Sequence, residues 1–517
     1  MSFPHDILER LATRPDHPFV QEAREDEIHA TEGAELRRAV ERVRAFLREA
    51  GLHRGDRCAL LAANSTAWVA CNLGIVAEGV VAVPLYPRQK PAELARILRD
   101  CEPGLLLAED AELAAAVRVE LPGGPPVRTP VEAIAAPTGG TADAPPTDPV
   151  PLEADDPVAV LYTSGTSGEP KGAVLTRGNV DFMLGRTVER LDELMEGLDG
   201  PDRAFHFLPW CFAGAWIALL ACLRRGTVLT VNTDLTRIVE DLKSVRPHWF
   251  QTVPVVLERV RGGVEQALCR QGGLIASFLT GALRATMDRA ANRPVAWLDG
   301  VKLAVARRSI LPPIRRRIGG DLRALICGSA PLAPETQLFF EMLGLPVLQV
   351  YGLTETTAIC TMDRPGDARA GCVGRAVDGV EMRIGDDDEI LVRGPNVFAG
   401  YWNNPDATAR AFADGWLRTG DRGDRDGEGR WRILGRLKNL IVLGSGHNVA
   451  PEPLERDLHA LLPEAKQVLL VGSGQPHLLA VVTGGVTPEA ARAALERLNT
   501  DLPHYRRIHG SLLLDEP

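Results

Sequence analysis

The chain has 517 residues, of which 45% are hydrophobic and 24% charged, and a formal net charge of -10. These proportions fit a folded globular protein and exclude a disordered chain, while the length exceeds one ordinary core, so several domains or a multi-lobed body are expected. The acidic balance, with arginines scattered beside Asp and Glu, gives no basic footprint for nucleic acid or anionic lipid, so small-molecule chemistry is expected.

Met1 to Arg14 carries charges and a proline where a signal peptide would need an apolar stretch. The nine cysteines stand singly, with no CxxC or Cys/His cluster, and read as reduced core residues of a cytoplasmic protein.

Apolar positions from Leu36 to Ala50 recur at helical spacing and end in Gly51, which predicts an amphipathic surface helix. A strand is expected over Cys58 to Ala62, a helix over Ala67 to Ala77 and a strand over Val80 to Leu85. This alternation predicts a mostly parallel, helix-covered sheet. Pro122 to Pro157, dense in Pro, Ala, Thr and Asp, reads as a surface connection between lobes. Strands and helices then resume from Val158 to Val260 and from Leu322 to Val350. The apolar run Phe207 to Leu223 contains Pro209 and falls short of a membrane span, so a buried helix beside a pocket is expected. Asp424 to Gly429 reads as a hairpin turn. From Leu437 onward a small α+β appendage is expected: strand Leu440 to Leu443, helix Pro453 to Leu462, strands Val468 to Val471 and Leu478 to Val482, and helix Pro488 to Leu498.

The segment that speaks most directly of chemistry is Tyr162-Thr-Ser-Gly-Thr-Ser-Gly-Glu-Pro-Lys-Gly172, directly after an apolar strand. Small hydroxyl and glycine residues leave backbone N–H groups free to wrap phosphate oxygens, and Lys171 adds a positive charge. The spacing from Gly165 to Lys171, and Gly172 after the lysine, distinguish it from the common nucleotide-triphosphatase loop.

This segment resembles the phosphate-binding signature of the adenylate-forming superfamily, which includes acyl-CoA synthetases, luciferases and peptide-synthetase adenylation domains. Three further stretches agree in order and spacing. Gln349-Val-Tyr-Gly-Leu-Thr-Glu-Thr356 is similar to the segment whose aromatic stacks on adenine, whose threonine meets the α-phosphate and whose glutamate helps hold Mg2+; these would be Tyr351, Thr354 and Glu355. Trp416-Leu-Arg-Thr-Gly-Asp421 resembles the segment whose aspartate binds the ribose hydroxyls. Gly435-Arg-Leu-Lys-Asn439 resembles the hinge, with Arg436 on the ribose and Lys438 as pivot. Gly55 to Pro87 and Arg393 to Pro405 match as well.

The resemblance implies an α/β fold: a large N-terminal domain, residues 1–436, of helix-covered mostly parallel sheets plus a distorted barrel, and a small mobile α+β C-terminal domain, residues 437–517. It assigns the acyl-AMP or ATP site to Thr163, Ser164, Gly165, Thr166, Ser167, Lys171, Ser329, Ala330, Pro331, Gln349, Tyr351, Gly352, Thr354, Asp421 and Arg436. Thr354, Glu355, Lys438 and Gly446 are the expected catalytic residues, and Ser445, Gly446 and His447 the loop for coenzyme A.

Within the superfamily the likeness is to acyl-CoA synthetases of the long-chain and aryl type, through Arg246-Pro-His-Trp-Phe-Gln-Thr-Val-Pro254 and Tyr401-Trp-Asn-Asn-Pro405. Phe212 stands where many relatives have histidine, and Val255 replaces a usual arginine. With Trp210, Trp216, Val253 and Gly328, Phe212 is expected to form an apolar pocket for a carboxylic acid.

In the superfamily a lysine near the end of the C-terminal domain neutralises charge that develops as the acid attacks the α-phosphate. No lysine follows Lys466, and the 517 residues stop at Leu512-Leu-Leu-Asp-Glu-Pro517. The expectation is therefore an acyl-CoA ligase acting mainly in thioesterification, with adenylation weak or absent and a separate adenylating enzyme supplying the acyl-AMP. A complete two-step synthetase, a ligase that loads a carrier protein, and a non-catalytic acyl-adenylate binding protein are the alternatives.

Overall fold

Short apolar runs bounded by turn residues become parallel strands, and the amphipathic stretches between them become the helices that cover the sheets. The computed structural model describes residues 2–24, 27–135, 147–164, 169–270, 273–444, 447–500 and 502–515. The chain forms two compact units, one of residues 1–381 and 393–415, the other of residues 382–392 and 416–517.

The first unit holds two sheets. In one, Arg57–Leu61 lies between Val81–Leu85 and Leu105–Ala108, all three parallel. Pro157–Ser164 extends this sheet in parallel beside Val81–Leu85, then turns back antiparallel into Pro170–Thr176, whose far side takes Gly400–Tyr401. The helix Thr66–Ala77 starts at Ser65, whose hydroxyl accepts from the Trp68 backbone N–H at 3.1 Å, and is buried from Trp68 to Ala77. The second sheet has nine strands. Its centre is parallel, running from Val347–Tyr351 through Ala324–Cys327, Trp249–Thr252, Arg203–His206 and Val228–Asn232 to Pro18–Arg24.

The amphipathic helix runs over Gly33–Glu49 and buries Leu36, Val40, Val43 and Leu47. Its inner face also carries Arg44, 2% exposed, which donates to Glu78 at 3.0 Å, to Glu41 at 3.1 Å and to the carbonyls of Thr147 and Asp148. A buried cation persists here because every direction it faces offers an acceptor. The apolar run after Pro209 forms the buried helix Ala213–Arg225. Eight described cysteines are free and buried. Loss of water pushes Cys71, Cys101, Cys211 and Cys327 up to about 12, so these thiols stay protonated and inert.

In the second unit Trp416–Arg425 pairs antiparallel with Glu389–Arg393 and, through the turn at Asp426, with Trp431–Arg436. A three-stranded sheet follows, Ala465–Val471, Leu478–Gly484 and Ile508–Leu514. Helices Pro451–Leu461 and Pro488–Asn499 share a core with it around Leu454, Leu458, Leu470, Leu478 and Val482. The division differs from the expected boundary at 436/437. The hairpin Trp416–Arg436 and residues 382–392 group with the second unit, because their ladder partners are one another. Among the described residues no helix is long and apolar enough to cross a membrane.

Candidate active site

Three neighbouring strands of the nine-stranded sheet, Trp249–Thr252, Ala324–Cys327 and Val347–Tyr351, run parallel and end at one edge. Ligands of parallel α/β sheets bind outside such carboxyl ends. Here the ends carry Val253, then Gly328, Ser329, Ala330 and Pro331, then Gly352 to Glu355. The Gly328 N–H reaches the Thr252 carbonyl at 3.4 Å and keeps the first two ends together. Ser329, Ala330 and Pro331 are exposed.

The third end is tightly constrained. Cys360 N–H donates to the Tyr351 carbonyl at 2.7 Å, folding the chain back on itself. A Cβ on Gly352 would stand 2.2 Å from the Ala358 carbonyl oxygen, so only glycine fits. Between these points the Thr356 hydroxyl accepts from the Leu353 N–H at 2.9 Å. Asn396, fully buried, donates its side-chain amide to the Ile359 carbonyl at 3.0 Å, and its Oδ1 takes no donor among the described residues. Ser329, Thr357 and Ala358 hold φ values of 72°, 49° and 85°, a region unfavourable for residues with side chains. Such strain persists only where surroundings over-determine it, and Thr357 is held by its hydroxyl donating to the Asn396 carbonyl at 2.8 Å.

The described parts of the expected phosphate cradle lie on two antiparallel strands, Pro157–Ser164 and Pro170–Thr176. Thr163 lies opposite Lys171 and Tyr162 opposite Gly172. Gly165, Thr166 and Ser167 fall outside the described residues, as does the side chain of Ser164. Tyr162 donates its hydroxyl to Asp100, and burial with that carboxylate raises the phenol well above its usual range.

Lys171 extends over the Tyr401 ring, its Nζ 5.3 Å from the centroid. The Tyr401 hydroxyl donates to Glu355 Oε1 at 2.7 Å. Tyr401 thus connects the cationic end of the hairpin to the carboxylate beyond the strand end. Burial first, then the Glu355 charge, pushes the Tyr401 phenol up, so it remains a donor. Its backbone is pinned by the hairpin, with Trp402 N–H donating to Gly172 O at 2.7 Å and Tyr401 N–H to the Thr408 hydroxyl at 2.9 Å. Sequence reading placed Tyr401 in a signature and gave it no role; nothing in the string Tyr-Trp-Asn-Asn-Pro points to a carboxylate 46 residues earlier in the chain.

Among the described residues no three His, Cys, Asp or Glu side chains gather as a metal site. A hard divalent cation such as Mg2+ fits Glu355 as a single protein ligand, with phosphate and water supplying the rest.

The other expected residues divide. Gln349 is buried and its amide donates to Gln337 and to the Cys372 carbonyl, both at 2.8 Å, so it braces the strand. Gly328 lies against Val350, whose Cγ2 would be 2.8 Å from a Cβ there. Trp210 and Trp216 differ from the expected pocket lining: both are fully buried. Trp216 donates to Asn72 Oδ1 at 2.9 Å, and Trp210 packs between Trp68 and His206, at 5.2 Å and 5.5 Å between ring centroids. Phe212 stands 50% exposed at the start of helix Ala213–Arg225, beside the Tyr86 ring, and Val253 is half-buried. A cleft of about 420 Å³ lined by Arg14, Asp192, Asp202 and Arg225 shares no residue with the strand ends, and its polar walls are unsuited to an apolar acid.

In the second unit Asp421 and Arg436 face each other across the hairpin, with Arg436 Nε 2.9 Å from the buried Asp421 carboxylate. Lys438, exposed, lies in the single turn Leu437–Asn439. His447 stacks on Tyr505 with ring centroids 4.5 Å apart, and Leu443 N–H to His447 O at 2.9 Å closes the base of the loop. Ser445 and Gly446 lie outside the described residues.

The profile of the AMP-binding enzyme family matches residues 7–402, which span both sheets, the hairpin and all three strand ends. This chain belongs to the AMP-binding enzyme family. It is similar to the long-chain-fatty-acid–CoA ligase FadD15 of Mycobacterium tuberculosis, 33% identical over 454 residues that cover 85% of this chain and 74% of the relative. It is also similar to the feruloyl-CoA synthase of an Amycolatopsis species, 30% identical over 459 residues, 86% of this chain and 80% of that one. Of solved structures, O-succinylbenzoate coenzyme A synthetase from Bacillus subtilis in complex with AMP shares the fold at a TM-score of 0.76 and 21% identity, covering 99% of this chain and 95% of that one. ATP-bound MatB from Rhodopseudomonas palustris gives 0.74 at 25%, covering 100% and 95%. The AMP-binding chain is thus an enzyme of the acyl-CoA synthetase and ligase group, with a large parallel-sheet unit and a smaller sheet unit.

Proposed function

We propose that this AMP-binding enzyme holds a bulky or long apolar carboxylic acid as its acyl-AMP and transfers the acyl group to coenzyme A. The observation that carries the reading is the Lys171–Tyr401–Glu355 arrangement beside the strand ends: a cation and a carboxylate, held apart by one aromatic ring, suit a phosphate chain and its Mg2+. In the transfer the thiolate attacks the acyl carbonyl, a C–S bond forms, the C–O bond to phosphate breaks and AMP leaves with the electron pair. Thr163, Ser164, Gly165, Thr166, Ser167 and Thr354 are the proposed phosphate contacts, Tyr351 the base contact, and Asp421 with Arg436 the ribose contacts. Lys438, Gly446 and His447 are proposed to serve the thiol step. An apolar acid is supported by Phe212 and Val253 and by the long-chain and feruloyl relatives.

Thioesterification is proposed as the stronger half-reaction of these 517 residues, since residues 467–517 contain no lysine to neutralise charge at the α-phosphate. A preorganised donor of that kind contributes roughly 3 kcal/mol, or about 100-fold in rate. The two-step reading is favoured by Lys171, a cation already set at the phosphate hairpin. The two halves are assayed separately, by pyrophosphate release from ATP with fatty or aryl acids and by thioester formation from synthetic acyl-AMP with coenzyme A or a phosphopantetheinyl carrier. Thioester formation with coenzyme A and pyrophosphate release at least about 100-fold slower is the expected pair of results. Equal rates would establish the two-step enzyme; binding of acyl-AMP with no thioester from either thiol would make the chain a binding protein.

A further inference from the structure

The chain as a whole is acidic, yet residues 284–317 carry nine basic side chains against two acidic ones. The fold gathers this stretch around one short helix, Trp297–Val305. Asp299, Leu303 and the following Ala306 form its buried face. They pack toward helix Gly273–Ala290, to which Lys302 Nζ is tied at 3.0 Å from Ser277 Oγ and Asp299 at 3.6 Å from Arg284. At 100° per residue the opposite face is Trp297, Leu298, Val301 and Val305. These four are 77%, 61%, 43% and 42% exposed. A tryptophan and three aliphatic side chains facing water together on one helix are costly for a surface that stays wet.

The charge carried by this stretch is mostly of one sign. Arg289, Arg307, Arg308, Arg316 and Arg317 are exposed. The two acidic residues of the stretch are each paired, Asp288 with Arg293 at 2.8 Å and Asp299 with Arg284. Glu341, on the helix Pro334–Met342, lies within electrostatic reach of Arg307.

We propose that this face of the first unit docks on an anionic lipid surface. Trp297, Leu298, Val301 and Val305 enter the headgroup boundary, and the surrounding arginines meet lipid phosphates. The pairing of an exposed tryptophan and aliphatic face with a basic rim is the signature of a helix lying in the membrane plane. A nucleic acid would be met by the arginines and would leave the four apolar side chains unused, and an acidic protein would need only the charges. The inference does not rest on the identity of the acyl substrate.

The test uses the full chain in flotation with vesicles of phosphatidylcholine alone or of equal parts phosphatidylcholine and phosphatidylglycerol. Wild type is expected to float with the mixed vesicles and not with the neutral ones, and added salt is expected to release it. Trp297→Ser with Val301→Ser should weaken partitioning by roughly tenfold or more, and Arg308→Glu with Arg316→Glu should abolish the anionic preference. Both variants should keep their melting temperature and their thioester formation from a water-soluble acyl-AMP. Absence of wild-type flotation would overturn the proposal, as would flotation indifferent to Trp297. Binding to duplex DNA or to polyglutamate that the serine variant retains in full, without flotation, would replace lipid by that polyanion.

Discussion

Replacing Tyr401 by phenylalanine removes one oxygen from the element that connects Lys171 to Glu355 and leaves the ring in place. The lost bond is 2.7 Å long and goes to a carboxylate. Hydrogen bonds to charged groups contribute about 1.5–3 kcal/mol, and since both side chains are half-buried, water recovers part of that, leaving about 1 kcal/mol of stability at risk. The larger effect is expected on orientation. Without the hydroxyl, Glu355 is free to swing, and a divalent ion that depends on one protein carboxylate loses its fixed point. The assay is calorimetric titration of ATP with and without Mg2+. In wild type the metal should tighten binding; in Tyr401→Phe that gain should fall by roughly tenfold, about 1.4 kcal/mol, with metal-free binding unchanged. Tyr401→Ala, which also removes the ring beneath Lys171, should weaken metal-free binding too. If Tyr401→Phe melts like Tyr401→Ala and leaves the Mg2+ dependence intact, Tyr401 only supports the hairpin and the reasoning fails.

Four further outcomes are expected. His206 is buried with its ring nitrogen 2.7 Å from the Leu208 carbonyl, and burial lowers its pKa to about 4. The unfolded chain therefore takes up a proton near pH 6.5 that the folded chain refuses, so stability should fall between pH 6.5 and 4 by about 3 kcal/mol on this account, and urea unfolding of His206→Gln should show a correspondingly shallower acid limb. Arg44→Ala should cost about 3–5 kcal/mol in the same measurement, because it leaves the Thr147 and Asp148 carbonyls without this donor and Glu78 with Arg48 alone. Gly352→Ala places a methyl 2.2 Å from a carbonyl oxygen; a loss of about 2–3 kcal/mol together with nucleotide binding is expected, and wild-type ATP titration by this variant would contradict the strand-end site. Asp421→Asn should leave the hairpin folded but weaken AMP binding by roughly tenfold, whereas 2′,3′-dideoxy-AMP should bind both forms alike.

Periodic features were readable from the sequence because their cause is local. The helix Gly33–Glu49 repeats its apolar positions every three to four residues, and the strands of the parallel sheets are apolar runs between turns. The motif Gln349 to Thr356 was legible for a related reason: glycine at 352 and the strained backbone after it leave few sequences that fit. What stayed hidden depends on partners far along the chain. Trp216 reads equally as pocket wall or core until Asn72 is found against its indole, 144 residues away. Tyr401 acquires meaning only from Lys171 and Glu355. The basic island 284–317 vanished in a chain-wide charge balance, since composition averages over surfaces that the fold separates.

The interleaved division of the chain has a consequence for modular exchange. The backbone passes between the two units at 381/382, 392/393 and 415/416. The smaller unit is therefore not a cassette that can be grafted at one junction: a transplant beginning at Trp416 leaves behind Glu389, whose carboxylate holds Arg418 at 2.9 Å, and the strand against which Leu417 is laid. Recombination between relatives should succeed where both the 382–392 strand pair and everything from Trp416 onward come from one parent, so in this architecture inheritance of the second unit is a two-fragment event.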